Sequence, residues 1–434
     1  MKSVIKIKHY HLKQRKEYRF SPLLFAAFIT VILTFSVSAY KNQNISGKIE
    51  ISTDTVDEKI SARQEIETIL SDYDSLLTFE LKNAANVGAA AAIIYKNEIV
   101  YLKCFGVTQK GGKDSVNAHT IFRLASVSKT VSGILAGLFF TDSILQPEQK
   151  VVEFLPEFRL KNQEQANQLT LANVLSHTTG MPQHTYDNFA EQKLPQKEIL
   201  AKLPEVGLAS KPGELYAYQN VMFSLFDTIV AAKTGESYQQ VVKERIFSPF
   251  GMNDASLSYI DFANNPNKAM PHTSGKNGFR LIPLNDRYYN TLAAAGVNAS
   301  ISDMAHFILH ILNDSIPKIQ HAREIIFAPQ IVTKLSTGYF SQWDGVNYKA
   351  YGMGWRIIDY KGRRLAYHGG FLKGYRAEIA VCPDENVGIV FLSNSPNQSA
   401  AKSIPLFLNR FFGEKDFQKI ASDTISVSNP LNKI

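Results

Sequence analysis

The chain has 434 residues, of which 45% are hydrophobic and 20% are charged. This composition is typical of a folded globular protein, and the length suffices for one large domain or two smaller ones. The formal net charge is +8, but residues 1–20 hold seven Lys or Arg against one acid, Glu17, so the remainder is nearly neutral. The sequence therefore does not predict a basic surface for nucleic acid.

An uncharged apolar segment follows the basic N-terminus. Residues 21–39 carry no charge and end in Val37-Ser38-Ala39, small residues of the kind that precede a signal-peptidase site. We predict an export signal over residues 1–39, with an uncleaved membrane anchor as the alternative. Either interpretation places the body of the protein outside the cytoplasmic membrane, in the periplasm or cell envelope. Residues 40–60 are polar and predict a tether.

The spacing of apolar residues predicts strands near both ends of the chain and helices between them. Helices are expected at 62–81, 122–140, 169–182, 195–203, 220–233, 238–247, 302–312 and 399–412. Strands are expected at 89–95, 99–107, 352–359, 364–368, 375–382 and 387–394. The predicted fold class is therefore α/β (α+β), with an antiparallel sheet that is flanked by helices and formed by both chain ends.

The same pattern predicts how the chain is divided. Residues 61–145 and 336–412 form an α/β lobe, residues 146–335 form an inserted, mainly helical lobe, and residues 413–434 form a polar tail. The two cysteines, Cys104 and Cys382, fall in predicted strands. We predict buried free thiols there, with a disulfide as the alternative. Trp343 and Trp355 are expected in the core or the wall of a cleft.

A serine and a lysine three residues apart stand near the start of the predicted helix 122–140. On a helix this spacing puts Ser126 and Lys129 on one face, about 5–6 Å apart at Cβ. A serine hydroxyl needs a base to become nucleophilic, and a lysine can serve if burial keeps it neutral. The bare Ser-x-x-Lys pattern also occurs at 3–6, 38–41, 315–318 and 399–402. A capping serine with a solvated lysine therefore remains an alternative.

Further segments accompany this pair in a fixed order. They are 122–130, the helix-to-turn segment 169–182, Tyr218-Gln219-Asn220, the segment 293–304, Tyr351-Gly-Met-Gly-Trp355 and His368-Gly369-Gly370. Together they resemble the serine β-lactamase and penicillin-binding-protein superfamily, in its class C-like branch, which also contains DD-peptidases, D-aminopeptidases and esterases. The resemblance covers residues 62–412, which is nearly all of the expected mature chain.

The resemblance implies three catalytic residues. Ser126 would attack a carbonyl carbon and form an acyl-enzyme, and Lys129 would act as the base. Tyr218 would pass a proton between Ser126 and the leaving group. No metal or other cofactor is implied.

The resemblance also implies substrate-binding residues. Asn220 would hold Lys129 and a substrate amide. His368, Gly369 and Gly370 would lie on an edge strand, where glycines let the substrate run along the backbone. The backbone N–H groups of Ser126 and Phe371 would form an oxyanion hole.

One position departs from the pattern of class C β-lactamases. Their third motif begins with Lys, whereas this chain has His368, as in DD-peptidase-like and D-aminopeptidase-like members. A histidine is only partly charged at neutral pH, so we expect weak, pH-dependent anchoring of a substrate carboxylate, and β-lactamase activity ranks third, after peptidase and esterase activity. Lys373 or Arg376 is a candidate for the missing cation. His177 is interpreted as structural.

These observations predict an exported serine hydrolase that acts on an amide or ester through an acyl-enzyme. Its partner would be a small-molecule or peptide substrate, with cell-wall-derived peptides among the candidates. D-amino-acid peptidase or carboxypeptidase action and esterase action are both consistent with the sequence. The alternative is a catalytically silent protein of the same fold that binds β-lactams or peptidoglycan fragments. The sequence does not predict an oligomeric state.

Overall fold

One antiparallel sheet carries strands from both ends of the chain. The structure is a computed structural model that describes residues 53–334, 340 and 342–427. The strands in chain order are β1 (Gly88–Tyr95), β2 (Glu98–Gly106), β3 (Phe122–Arg123), β4 (His272–Gly275), β5 (Gly278–Leu281), β6 (Asn298–Ala299), β7 (Ile331–Val332), β8 (Val346–Tyr351), β9 (Arg356–Tyr360), β10 (Arg363–Leu372), β11 (Tyr375–Cys382) and β12 (Val387–Ser393). Eight of them form the sheet β2-β1-β12-β11-β10-β9-β8-β7, while β3 pairs with β6 and β4 with β5. The predicted sheet built from both chain ends is confirmed.

Helices cover the sheet and fill the segment between β3 and β7. They are α1 (Thr53–Asn83), α2 (Ser128–Thr141), α3 (Val151–Phe154), α4 (Gln163–Gln168), α5 (Leu171–Leu175), α6 (Asp187–Glu191), α7 (Gln196–Ala201), α8 (Asn220–Phe223), α9 (Leu225–Thr234), α10 (Tyr238–Val242), α11 (Tyr259–Asn264), α12 (Leu292–Ala295), α13 (Ile301–Leu312), α14 (Pro317–Phe327) and α15 (Gln398–Val427). Short 3₁₀ turns lie at Ala125–Val127, Leu203–Glu205 and Pro383–Glu385, and a π-helical turn follows α10 at Lys243–Phe247.

Strand β1 lies inside the sheet, between β2 and β12, and every one of its residues is buried. Successive side chains of a strand point to opposite faces. Ala89, Ala91 and Ile93 accordingly belong to one core cluster, and Ala90, Ala92 and Ile94 to the other. Both faces of the sheet are therefore covered, which explains why the β1 sequence is apolar throughout.

The first and last helices cover one face. Helix α1 buries residues three to four positions apart, among them Tyr73 and Leu77, and this spacing forms a single stripe along the helix. The Tyr73 ring meets the ring of Phe407 from α15 edge-on, with centroids 5.7 Å apart. Burying a large apolar side chain of this kind contributes roughly 1.5–3 kcal/mol. The two chain ends are thus held together by the sheet and by this helix layer.

Helix α2 lies in the core on the other face, where α14 packs against it. All of its residues from Ser128 to Phe140 are buried. The loop between β8 and β9 also touches this helix, since a Cβ added at Gly354 would lie 2.3 Å from the Lys129 carbonyl oxygen. Gly354 also has a φ of +79°, in the left-handed region that favours glycine. The Tyr-Gly-Met-Gly-Trp segment is therefore a turn against α2, and the strand predicted at 352–359 begins only at Arg356.

Several sequence-based expectations are corrected by these bounds. Helix α1 begins at Thr53, within the segment 40–60 for which we expected a tether. Helix α15 continues to Val427, well into the expected polar tail 413–434. The chain divides into two compact units, Met1–Glu58 and Lys59–Ile434. The boundaries of the two lobes, 61–145 with 336–412 and 146–335, stay a prediction.

Other expectations concern the cysteines, the tryptophans and the N-terminal segment. Cys104 and Cys382 are free thiols, as predicted, although Cys104 is only half-buried. Trp343 and Trp355 are buried in the core. None of the helices in the described part of the chain is long and apolar enough to cross a membrane. The predicted export segment 21–39 lies outside the described residues.

Candidate active site

Ser126 lies in a tight turn directly before the central helix. The 3₁₀ turn Ala125–Val127 leads into α2, whose N-cap is Val127 without a side-chain hydrogen bond. Ser126 therefore does not cap this helix, which removes one alternative interpretation of its position. Ala125 has a φ of +48°, a backbone conformation that is costly for a residue with a side chain. The predicted helix 122–140 thus starts at Ser128, and the half-buried Ser126 sits on the turn before it.

Lys129, the second residue of α2, is completely buried. Its Nζ donates to Asn220 Oδ1 at 2.7 Å and to the Ala294 carbonyl oxygen at 3.0 Å. Burial lowers the pKa of Lys129 well below its usual value; the Asp187 carboxylate opposes this effect, and the Arg356 cation adds to it. A neutral amine has two N–H groups, both used here, and one lone pair that remains able to accept a proton. The solvated lysine of the alternative interpretation is excluded.

Tyr218 precedes α8 and Asn220 is its first residue, and both side chains lie close to Lys129. The Lys129 Nζ lies 4.7 Å from the centroid of the Tyr218 ring. The Tyr218 ring also packs against His177, and the two ring centroids are 4.3 Å apart. The structure therefore brings the predicted Lys129, Tyr218 and Asn220 into one cluster, although they come from two distant segments of the chain.

Gln219, between Tyr218 and Asn220, holds this segment in place through its hydrogen bonds. It is fully buried, and its Oε1 accepts from Thr179 Oγ1 at 2.7 Å. Its Nε2 donates to the carbonyl oxygens of Met181 and Pro182. Its backbone N–H donates to His177 Nδ1 at 3.2 Å. The Gln219 side chain thus ties Tyr218 and Asn220 to the turn that ends the predicted segment 169–182.

His368 is buried and neutral rather than presented to a substrate. Its Nδ1 donates to the Gly369 carbonyl oxygen at 2.9 Å, so Nε2 accepts from the Tyr351 hydroxyl at 3.0 Å. Burial lowers the pKa of His368 well below its usual value, and the Arg356 cation lowers it further. Burial and the lowered pKa give no support to the expected pH-dependent anchoring of a carboxylate by His368, which stays a prediction.

Strand β10 passes directly against the turn that carries Ser126. A Cβ added at Gly370 would lie 2.2 Å from the Leu124 carbonyl oxygen and 3.1 Å from the Ser126 nitrogen. Only glycine allows this approach, so the backbone around Ser126 and the backbone of Gly370 and Phe371 belong to segments in direct contact. This arrangement is compatible with the two backbone donors that the sequence predicted.

The predicted edge strand is only half correct. Strand β10 lies inside the sheet, and it pairs with β9 from Arg363 to Tyr367. From His368 to Leu372, within the described residues, it pairs only with β11. This half of β10, which contains Gly369 and Gly370, therefore has one open side beside Ser126.

Arg376 does not supply the missing cation. Along β11 it shares its sheet face with Glu378 and Cys382, which is the face covered by α1 and α15. Its Nε donates to Glu378 Oε1, and the buried Glu378 also accepts from the Tyr367 hydroxyl. Lys373 is exposed, and its suggested role stays a prediction.

Sequence reasoning missed several residues of the cluster. The Arg356 guanidinium lies 5.5 Å from the Tyr218 ring centroid and 5.7 Å from that of Tyr351, and its Nη1 donates to the Tyr216 hydroxyl at 3.2 Å. Asp187 accepts from Asn220 Nδ2 at 2.9 Å. Arg356 directly follows the Tyr-Gly-Met-Gly-Trp segment, which was a usable signal. Asp187 lies in a polar stretch without a recognisable pattern, so no sequence signal pointed to it.

Metal chemistry has no support in the described residues, where no three His, Cys, Asp or Glu side chains converge as ligands for an ion. The donor groups of the cluster are instead one amine, one phenol and several backbone groups. Such groups can move a proton and stabilise an oxyanion.

Comparisons with known proteins concern the fold and the family of the chain. A solved structure, the octameric penicillin-binding protein homologue from Pyrococcus abyssi, matches with a TM-score of 0.67 and 22% identity, over 78% of this chain and 77% of that one. At this identity the likeness shows the fold alone, which is the β-lactamase/transpeptidase-like fold.

Two curated relatives are matched over only part of their length. Beta-lactamase-like protein 4 of Dictyostelium discoideum is 26% identical over 259 residues, covering 56% of this chain and 45% of that protein. Unguisins hydrolase ungD' of Aspergillus campestris (strain IBT 28561) is 24% identical over 312 residues, covering 69% of this chain and 57% of that protein. The chain thus spans about half the length of these relatives.

A family model described as Beta-lactamase matches residues 64–406, which is most of the chain. The matched range contains Ser126, Lys129, Tyr218, Asn220 and His368 in the order that the resemblance predicted. The chain therefore belongs to the beta-lactamase family, within the serine β-lactamase and penicillin-binding-protein superfamily.

Proposed function

We propose that this protein is a serine hydrolase that cleaves an amide or ester through an acyl-enzyme on Ser126. The observation that carries this proposal is the state of Lys129, a fully buried amine held by Asn220 and the Ala294 carbonyl. Burying an amine costs free energy, and a protein that only folds or binds does not need this group. A neutral lysine three residues after a half-buried serine is what activation of that serine requires.

The proposed reaction assigns a role to each group, and the proximity of Lys129 to Tyr218 and Asn220 supports it. The Ser126 Oγ attacks the carbonyl carbon, and its proton passes to Lys129 Nζ directly or through the Tyr218 hydroxyl. The negative charge that forms on the carbonyl oxygen is stabilised by the N–H groups of Ser126 and Phe371, each worth about 3 kcal/mol. When the bond to the leaving group breaks, the departing oxygen or nitrogen takes up this proton. Water, in the place of the leaving group, then attacks the acyl carbon and gives its proton to Lys129; the bond between Ser126 Oγ and the acyl carbon breaks, and Oγ takes the proton back.

The burial of His368, the first residue of the third motif, favours substrates that need no cation to bind a carboxylate. His368 is neutral, buried and bonded to Tyr351, so it offers no charge to a substrate. We therefore favour neutral esters and amides over β-lactams and over peptides recognised by a C-terminal carboxylate. One curated relative is named as a hydrolase of unguisins, which supports hydrolysis as the reaction class for this chain.

The alternative is a silent binder of β-lactams or peptidoglycan fragments with the same fold. The two functions differ in one measurable property, which is the reactivity of Ser126. Labelling of the purified protein with a fluorescent fluorophosphonate and with a fluorescent penicillin tests it, followed by identification of the modified peptide.

The expected result is labelling by the fluorophosphonate that Ser126→Ala abolishes. Ser315→Ala is the matched control, because Ser315 and Lys318 have the same spacing but Lys318 is exposed and binds Asp142. Absence of any label at Ser126 would refute the hydrolase. Chromogenic short-chain esters, a cephalosporin and a D-Ala-D-Ala peptide would then rank the substrates, and we expect the esters to be turned over fastest.

We also propose that the protein is exported, either as a cleaved precursor or through an uncleaved anchor. The support is the basic segment followed by the uncharged residues 21–39. Fractionation of cells that express the full chain tests this, with N-terminal sequencing to separate cleavage from anchoring. Recovery of the protein in the cytoplasm with its N-terminus intact would contradict export.

A further inference from the structure

A series of hydrogen bonds leads from the surface at His184 to the buried amine of Lys129. His184 Nδ1 contacts Asp187 Oδ2 at 2.8 Å, and Asn220 Nδ2 donates to the same oxygen at 2.9 Å. Asn220 Oδ1 then accepts from Lys129 Nζ at 2.7 Å. His184 is half exposed, whereas the Asp187 side chain is only 17% exposed and Lys129 is fully buried.

The two ends of the Asn220 amide are fixed by partners of opposite character. A carboxylate can only accept a hydrogen bond, and the lysine amine donates one, so the amide has a single orientation that satisfies both. Without Asp187 the amide could rotate by half a turn and direct its NH₂ group at the amine. That rotation would remove the acceptor that holds Lys129 beside Ser126.

We propose that Asp187 is a positioning residue, which keeps Asn220 oriented towards Lys129 and uses its negative charge to set the pH range in which Lys129 accepts a proton. This inference rests on the proposed function, because it concerns the same amine. Asp187 acts through Asn220 and does not itself touch Ser126 in the described contacts.

The charges around Lys129 support this role. Asp187 is the carboxylate that raises the pKa of Lys129 against the dominant effect of burial, while Arg356 lowers it. Burial also lowers the pKa values of the nearby His177 and His368, so both rings are neutral neighbours. A further titratable group near the amine is the phenol of Tyr218, whose ring centroid lies 4.7 Å from Lys129 Nζ.

The local backbone is built to hold Asp187 in this place. It is the first residue of α6, and the residues His184 and Tyr186 before it both have φ near +60°. Only one of the carboxylate oxygens is used in these contacts. Asp187 Oδ1 is buried, with no hydrogen-bond partner among the described residues.

The test is the Asp187→Asn variant, which preserves the shape of the side chain and removes its charge. Its readout is the rate of fluorophosphonate labelling of Ser126 as a function of pH, which needs no knowledge of the substrate. We expect a roughly 10- to 100-fold slower reaction, since a misplaced catalytic group costs about this much. We also expect the acid limb of the profile to move to lower pH, because loss of a neighbouring negative charge makes Lys129 easier to deprotonate.

Asp254→Asn is the matched control, since Asp254 forms a similar pair with His119, also at 2.8 Å, that is not part of this series. We expect its profile to match that of the unaltered protein. If Asp187→Asn unfolds, Asp187→Ser removes the same charge with a smaller side chain and should give the same shift. A slower reaction with an unmoved acid limb would overturn the electrostatic role, and an unchanged rate would overturn the whole inference. If the unaltered protein is not labelled at Ser126, the proposed function fails, and this inference fails with it.

Discussion

The amine of Lys129 lies 2.7 Å from the side-chain oxygen of Asn220, which is 91 positions further along the chain. Lys129 is on α2 and Asn220 begins α8, so this bond joins the central helix to the inserted helical segment. The same amine bonds the Ala294 carbonyl oxygen of α12. Residues of α8 and α12 thus hold the side-chain nitrogen of a residue on α2. The following predictions concern the role of this nitrogen.

Replacement of Lys129 by Met should abolish most of the reactivity of Ser126 and leave the fold intact. Loss of the base should slow fluorophosphonate labelling by about 10²- to 10⁴-fold. Removing a buried amine should stabilise the protein, but the Asn220 and Ala294 oxygens lose their donor, so the free energy of unfolding should change by no more than about 1–2 kcal/mol. Labelling rates and urea denaturation measure the two effects.

Lys402→Met is the control for that variant. Ser399 and Lys402 have the same spacing, but the Lys402 amine binds Glu80 at 2.9 Å on the opposite face of the sheet. Its replacement should leave the labelling rate unchanged. Equal rates for the Lys129→Met variant and the unaltered protein would exclude Lys129 as the base.

Discrimination between charged and neutral substrates should not depend on the protonation of His368. Since burial and the Arg356 cation lower the pKa of His368, the ring stays neutral over the range where an ordinary histidine titrates, at about pH 6.5. We therefore expect the ratio of kcat/KM for a carboxylated ester to that for its neutral analogue to stay constant between about pH 5.5 and 8. A ratio that rises as the pH falls, and that becomes flat in His368→Asn, would show that the histidine binds the carboxylate.

The sheet could be predicted from the sequence because its signal is local. Alternating or continuous apolar runs between turn residues located β1, β2, β11 and β12 to within about one residue at most ends. Helix α13 was equally clear, since its apolar residues lie at helical spacing, and the expected range 302–312 differs from the observed Ile301–Leu312 by one residue.

The candidate site could be predicted only in part, because its geometry depends on contacts between distant segments. Ser126, Lys129 and Tyr218 belong to motifs, so the sequence could propose them as candidates. Arg356 and Asp187 were missed, since each is an ordinary charged residue until the fold brings it to Tyr218 or Asn220. The burial of His368 and its hydrogen bond to Tyr351 could not be predicted either, because they are tertiary features that no local pattern encodes.

Replacement of Gly370 by Ala should damage the site more than the fold. The added methyl carbon would overlap the Leu124 carbonyl oxygen at 2.2 Å and press on the nitrogen of Ser126. We expect a loss of about 1–3 kcal/mol in the free energy of unfolding and a roughly 100-fold slower labelling of Ser126, because the oxyanion donors move apart. Gly207→Ala is the control, since nothing lies within 4 Å of its added carbon. Normal labelling of Gly370→Ala would mean that this contact is not needed for the oxyanion site.

Replacement of Arg356 by Met should move the acid limb of the pH profile in the direction opposite to that expected for Asp187→Asn. The Arg356 cation lowers the pKa of Lys129, so its removal raises that pKa and keeps Lys129 protonated to higher pH. The rate of Ser126 labelling should therefore fall most at low pH and recover as the pH rises. A uniform loss at every pH would instead indicate that Arg356 only positions Tyr218 and Tyr216, which it contacts through its guanidinium.

The control for this variant must remove a guanidinium from the same sheet without touching the cluster. Arg364 on β10 meets this condition, since its Nη2 donates to the Phe327 carbonyl oxygen. Arg364→Met should preserve the acid limb, and stopped-flow labelling across the pH range would compare all three proteins. Because the Asp187 and Arg356 charges act on one amine with opposite signs, the double variant Asp187→Asn/Arg356→Met should return the limb towards its original position. Two shifts of the same sign would rule out Lys129 as the group that both charges control.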